Sequence, residues 1–142
     1  MTSSKPKFVP VRHDGELIAF RESSVVMLGR RGILDAHQIE AAFRFRNAFE
    51  VAKDAARASI GFHEWTDPGK PAQALVERRS MARNELKQAR FYLGAHGYWL
   101  VGKIAGEGYA ISDLYETRRE RDTASDMLQI HLTGLSRLWE KR

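Results

Sequence analysis

Histidines, carboxylates and cations are the residues here that could do chemistry, and their spacing sorts them. His13, His37, His63, His96 and His131 fall in different stretches with no HxxxH or HxH spacing, so local sequence sets no two of them as neighbouring ligands. His63 and Glu64, beside Trp65, lack the further ligands that zinc or two-histidine iron sites need, and read as part of a structural loop. The chain has no cysteine, which excludes disulfides, thiolate zinc sites and thiol nucleophiles together. No catalytic residue, metal site or cofactor is expected, and the chain is not expected to be an enzyme.

The cations are patterned. Arg79, Arg83, Lys87 and Arg90 recur at steps of four, four and three, which on a helix makes a ridge able to follow a phosphate backbone. A solvated helix face has the same pattern. Glu77 and Glu85 stand close enough in sequence to pair with part of the ridge. A second group, Arg118, Arg119 and Arg121 with Thr123, Ser125 and Gln129, opens the last long helix. Arginine reads guanine through two hydrogen bonds, glutamine reads adenine, and serine or threonine takes phosphate. Glu120, Asp122 and Asp126 share that end and repel phosphate unless the arginines neutralise them, although acids in a first turn also stabilise a helix. The net charge of +5 and a pI near 9.7 favour a polyanionic partner, nucleic acid first and an anionic membrane second.

The elements that must position these groups are mainly helical. The 142 residues, 43% hydrophobic, suffice for one compact domain. No apolar run approaches the ~18–20 residues of a membrane span, and the N-terminus lacks a signal-peptide core; a cytoplasmic, nucleoid-associated protein is expected. Residues 1–22 read as a tail and arm. His13-Asp14-Gly15 is a turn signal between two apolar runs, giving either a small hairpin, its first strand confined to an edge by Pro10, or an extended arm. Residues 23–57 hold two helices. The shorter is capped by Ser23 or Ser24 and stops before Gly32; its Arg30-Arg31 end is either a solvated terminus or a phosphate contact. The longer opens with an Asp35/Gln38 capping box. Its buried stripe is Ile39, Ala42, Phe45, Phe49, Ala52 and Ala56, widened by Phe43 and Val51.

Residues 58–71, with two prolines and two glycines, read as a loop. Residues 72–142 then form the candidate DNA-binding unit. Its first helix, about 72–93, buries Leu75, Ala82, Leu86, Ala89 and Leu93 and ends at Gly94 and Gly97, which suit a left-handed C-cap. A short apolar helix follows over about 97–106, then the Gly106-Glu107-Gly108 turn and a brief helix around Ile111, Leu114 and Tyr115. After a polar corner comes a helix over about 119–140. Its buried stripe is Ala124, Met127, Leu128, His131, Leu132, Leu135, Leu138 and Trp139. Gly134 within it costs about 1 kcal/mol relative to alanine, which marks close packing. This order of parts is that of a helix-turn-helix whose last helix offers its N-terminal end to the major groove. The fold class is mainly all-α: a small helical bundle with a C-terminal helix-turn-helix.

The run LGAHGYWLVGKIAGEGYAISDLY, followed by TRRERDTASDMLQIHLTGLSRLW, resembles the C-terminal domains of phage-derived helix-turn-helix regulators of alphaproteobacteria. Those domains are similar in arrangement to sigma-factor region 4, and related ones occur in activators of gene transfer agents. LVERRSMARNELKQARFYLG matches their support helix and GRRGILDAHQIEAAFRFRNAFEVA their lead-in helix, so the resemblance covers about residues 29–140. It implies an all-helical fold, a transcription-related role and no enzymatic activity. It carries over the turn glycine, Gly106 or Gly108, and the basic entry to the last helix. The acidic Glu120-Arg121-Asp122 corner and the long final helix depart from the pattern, which bears on base reading more than on fold.

Two functions follow from different classes. The first is a transcriptional regulator of phage, prophage or gene-transfer-agent type that binds double-stranded DNA, with RNA polymerase and a second copy of the chain as further partners. The second is a helical protein-interaction module, an adaptor or small phage assembly protein, anchored by Trp65, Tyr98 and Trp139.

Overall fold

A computed structural model describes residues 8–13, 16–21, 23–61 and 70–140. The N-terminal arm takes the hairpin alternative. β1 (Phe8–His13) pairs antiparallel with β2 (Glu16–Arg21), with Val9 opposite Phe20 and Pro10 opposite Ala19. The sheet has two strands, so both are edges, the setting in which a proline is tolerated.

Helix α1 (Ser24–Arg30) starts where the Ser23 hydroxyl accepts the Val26 amide at 3.4 Å. Ser24, the other candidate cap, is buried and donates to the Ile104 carbonyl at 3.3 Å. The helix stops at Gly32, φ +76°, where the Ile33 amide reaches the Leu28 carbonyl and the Gly32 amide that of Gly29. That pair of bonds is a Schellman motif, whose left-handed residue is most often glycine.

Helix α2 (Ala36–Gly61) opens with the expected reciprocal cap: the Gln38 amide donates to Asp35 Oδ1 and the Asp35 amide to Gln38 Oε1, both at 2.8 Å. The helix runs on through Ala58–Ile60, assigned to the loop from sequence, because nothing before Gly61 breaks it. Ala41, Ala42, Phe45, Ala48 and Val51 are buried, whereas Phe43 is 44% exposed and does not widen the stripe. Ala56 is also exposed.

Helix α3 (Lys70–Val101) starts inside the expected loop, with Pro71 in the first turn where its missing amide costs nothing. The residues holding His63, Glu64 and Trp65 lie outside those described. The helix is broken at Gly94, whose φ of 79° and ψ of 176° belong to a region essentially reserved for glycine. This is not the left-handed cap expected there. The chain resumes helix at once, and Gly97 is a buried helical residue. Residues 73–78 are exposed on every side, including Leu75 at 40%, so the stripe predicted for this helix starts only at Ala82.

The apolar segment ends in a π-helical turn, Gly102–Gly106, and Gly108 (φ 87°) redirects the chain into α4 (Ile111–Leu114). The Asp113 carboxylate caps α4 by accepting the Ala110 amide at 2.8 Å. Helix α5 (Arg118–Glu140) is the spine of the core. Ala124, Leu128, Leu132, Leu135 and Trp139 are buried against α2 and α3. Each large apolar side chain so enclosed contributes about 1.5–3 kcal/mol. Gly134 allows the close approach its position suggested: a Cβ there would lie 2.5 Å from the Tyr92 hydroxyl.

Candidate nucleic-acid interface

The α3 ridge is an open cationic surface. Arg83, Lys87 and Arg90 are exposed and Arg79 is half-buried. Among the described residues no carboxylate pairs with any of the four. Glu85, expected beside them, turns to α2 and accepts Arg44 Nε at 2.8 Å. The Arg44 guanidinium in turn lies 4.8 Å from the centre of the Trp139 ring. Arg90 also acts on Tyr98, whose hydroxyl burial pushes above its ordinary pKa while the arginine charge draws it partly back.

The start of α5 is built differently. Thr117 Oγ1 accepts the Glu120 amide at 3.1 Å, and Glu120 Oε1 accepts the Thr117 amide at 3.3 Å. Glu120 is therefore a capping acid, not a partner for the arginines. Arg118 is 94% exposed and 4.0 Å from Asp122, a pair too solvated to contribute much. Arg119 and Thr123 are exposed. Arg121, expected at the groove, donates from Nε to the Tyr115 carbonyl at 2.9 Å and fastens the corner. Ser125, also predicted, is half-buried and accepts Gln129 Nε2 at 3.4 Å.

The two basic regions do not share a flank. Glu85, through Arg44 and Trp139, and Tyr92, through Gly134, mark the side of α3 that looks toward α5. Taking buried Ala89 as the centre of the helix face, Glu85 and Tyr92 lie about 40–60° to one side and the ridge about 80–160° to the other. The basic ridge and the start of α5 therefore point to different surfaces.

Between those surfaces runs a seam that the sequence did not disclose. Tyr92 lies against Gly134, the His131 ring against Gly97, and His96 beside the first turns of α5. At the α5 end the seam widens to a cleft of about 320 Å³ lined by His96, Tyr115, Arg119, Glu120, Thr123, Ala124 and Met127. Two of the scattered histidines thus converge. Burial, then the neighbouring His96 charge, pulls His131 below its ordinary pKa, and its enclosed Nε2 has no hydrogen-bond partner among the described residues. The exposed Phe91 (92%), Tyr92 and Trp99 flank the break at Gly94 along the chain, and the rings of His96 and Trp99 are 6.0 Å apart. A signal for this surface was present in the sequence: from Leu86 through Gly106 the chain has no carboxylate.

The aromatic anchors expected for an interaction module are placed otherwise. Trp139 is buried in the core and Tyr98 packs edge-on against Phe45. Among the described residues no group of three His, Asp or Glu side chains could hold a metal ion, and no helix is long and apolar enough to cross a membrane. No family model matches the chain, and no curated protein or solved structure is similar to it at a significant level.

Proposed function

We propose that the protein is a DNA-binding transcriptional regulator of phage, prophage or gene-transfer-agent type that grips duplex DNA through the α3 ridge. The observation that carries this reading is the ridge itself: Arg79, Arg83, Lys87 and Arg90 sit on one rigid helix with no carboxylate pairing among the described residues. They span about 16 Å of helix axis at 1.5 Å per residue. Arg118, Arg119 and Thr123 remain available at the start of α5. They serve a second contact, to nucleic acid beyond the clamped duplex or to RNA polymerase.

Four phosphate contacts predict a slope of log affinity against log salt of roughly −3.6, since each released counterion contributes about 0.9. Titrating a fluorescent duplex at several salt concentrations measures this. Arg83→Ala with Lys87→Ala reduces the slope by about 2. Duplex affinity that does not respond to salt would falsify the assignment. Light scattering on the same samples shows whether the active species is a monomer or a pair of chains.

A further inference from the structure

We propose that the exposed aromatic side chains around the Gly94 break, Phe91, Tyr92 and Trp99, form a stacking surface on which unpaired bases of single-stranded nucleic acid lie. The proposal rests on reading the chain as a nucleic-acid binder, and it adds a second class of ligand to the duplex.

Single exposed apolar side chains are ordinary on protein surfaces. Three exposed aromatics within nine residues of chain, with cations on both sides, are a different pattern. Phe91 stands one helical turn beyond Lys87 and beside Tyr92, so it extends the ridge toward the seam. Tyr92 then borders the seam at Gly134. Beyond the break, Trp99 pairs with His96, and His96 and Arg119 both line the cleft. The aromatics thus bridge the two basic regions that the fold sets on different flanks. A strand laid along this path meets cations at Lys87 and Arg119 and ring faces between them.

That alternation is what sequence-tolerant single-strand binding uses: a cationic track holds the phosphates and aromatic faces take the bases. Charge favours a polyanion over a second copy of the chain. The stretch from Leu86 to Gly106 holds no acid, so docking this face on itself would bring Lys87 and Arg90 against their own counterparts. Glu120, the carboxylate in the lining of that cleft, is held by Thr117 in the α5 cap.

The test is fluorescence anisotropy on the full chain with three probes: oligodeoxythymidine, an abasic strand of equal length, and a short duplex. Oligodeoxythymidine binds more tightly than the abasic strand. Phe91→Ala and Trp99→Ala each weaken oligodeoxythymidine binding roughly 5- to 150-fold, the loss of one base–aromatic stack, and leave the abasic strand and the duplex unaffected. Because Phe91 is 92% exposed, its replacement leaves the circular dichroism spectrum and melting temperature unchanged. Equal binding of the thymidine and abasic strands, or wild-type affinity in both variants, overturns the proposal. So does a dimer in light scattering that Phe91→Ala dissolves, since the face is then an interface between copies. Duplex binding without oligodeoxythymidine binding defeats this proposal alone; failure to bind any of the three probes defeats the duplex reading with it.

Discussion

His131 is the residue whose charging the packing opposes. It sits in the buried stripe of α5 with its ring against Gly97, where a Cβ would come within 2.9 Å of Cε1. Its Nε2 is enclosed without a partner among the described residues, and His96 stands beside it. Its pKa in the folded chain is therefore below the ordinary value of 6.5. The unfolded chain takes up the proton first as pH falls, so the contribution of neutral His131 to stability is complete above about pH 6.5 and is lost below it. The protein should be less resistant to urea at about pH 5 than at pH 7.5, and His131→Gln should flatten that difference. A pH dependence identical in wild type and variant would remove His131 as its source.

At the scale of elements, what was local in the sequence was legible. Ser23, the Asp35/Gln38 box and Gly32 announce helix ends because a cap is made by residues within three or four positions of one another. The α5 stripe was legible for a related reason: Leu128, Leu132, Leu135 and Trp139 keep one period over most of a long helix. Leu75 and Phe43 show the limit, since periodicity tells which side of a helix is apolar but not whether a neighbour reaches that far. Gly94 shows another. From sequence it is a stop; in the structure its positive φ bends α3 and lets helix continue, which re-aims His96 toward α5 and creates the seam. Any other residue there bears a strained backbone, so Gly94→Ala should lower stability by about 1–3 kcal/mol. It should also weaken single-strand binding by misplacing Trp99. A urea midpoint equal to that of wild type would mean that the break is not held by the surrounding packing.

At the scale of the whole molecule, α5 is asked to do two things, and its length divides them. From Ala124 onward one face of it is core, with Leu128, Leu132 and Leu135 fully enclosed, while Asp126, Ile130 and Arg137 are exposed. Its first turn offers the exposed cations Arg118 and Arg119, while Arg121 and Ser125, also expected at the groove, are half-buried and hydrogen-bonded within the fold. The order of parts that suggested a major-groove reader therefore leaves little of α5 for base contacts, while the opposite flank of α3 carries an open ridge. A rigid duplex laid on that ridge lies on the side of α3 away from α5. Arg118→Ala with Arg119→Ala should accordingly leave the salt slope for duplex binding unchanged, while Arg83→Ala with Lys87→Ala lowers it by about 2. If the α5 pair lowers the slope as much as the ridge pair does, DNA bends to meet both flanks or two chains share one duplex. Sedimentation of the complex at known stoichiometry separates those outcomes. Single-strand binding should follow the other order, weakened by loss of Arg119 because a flexible strand can turn from the ridge into the seam where a duplex cannot.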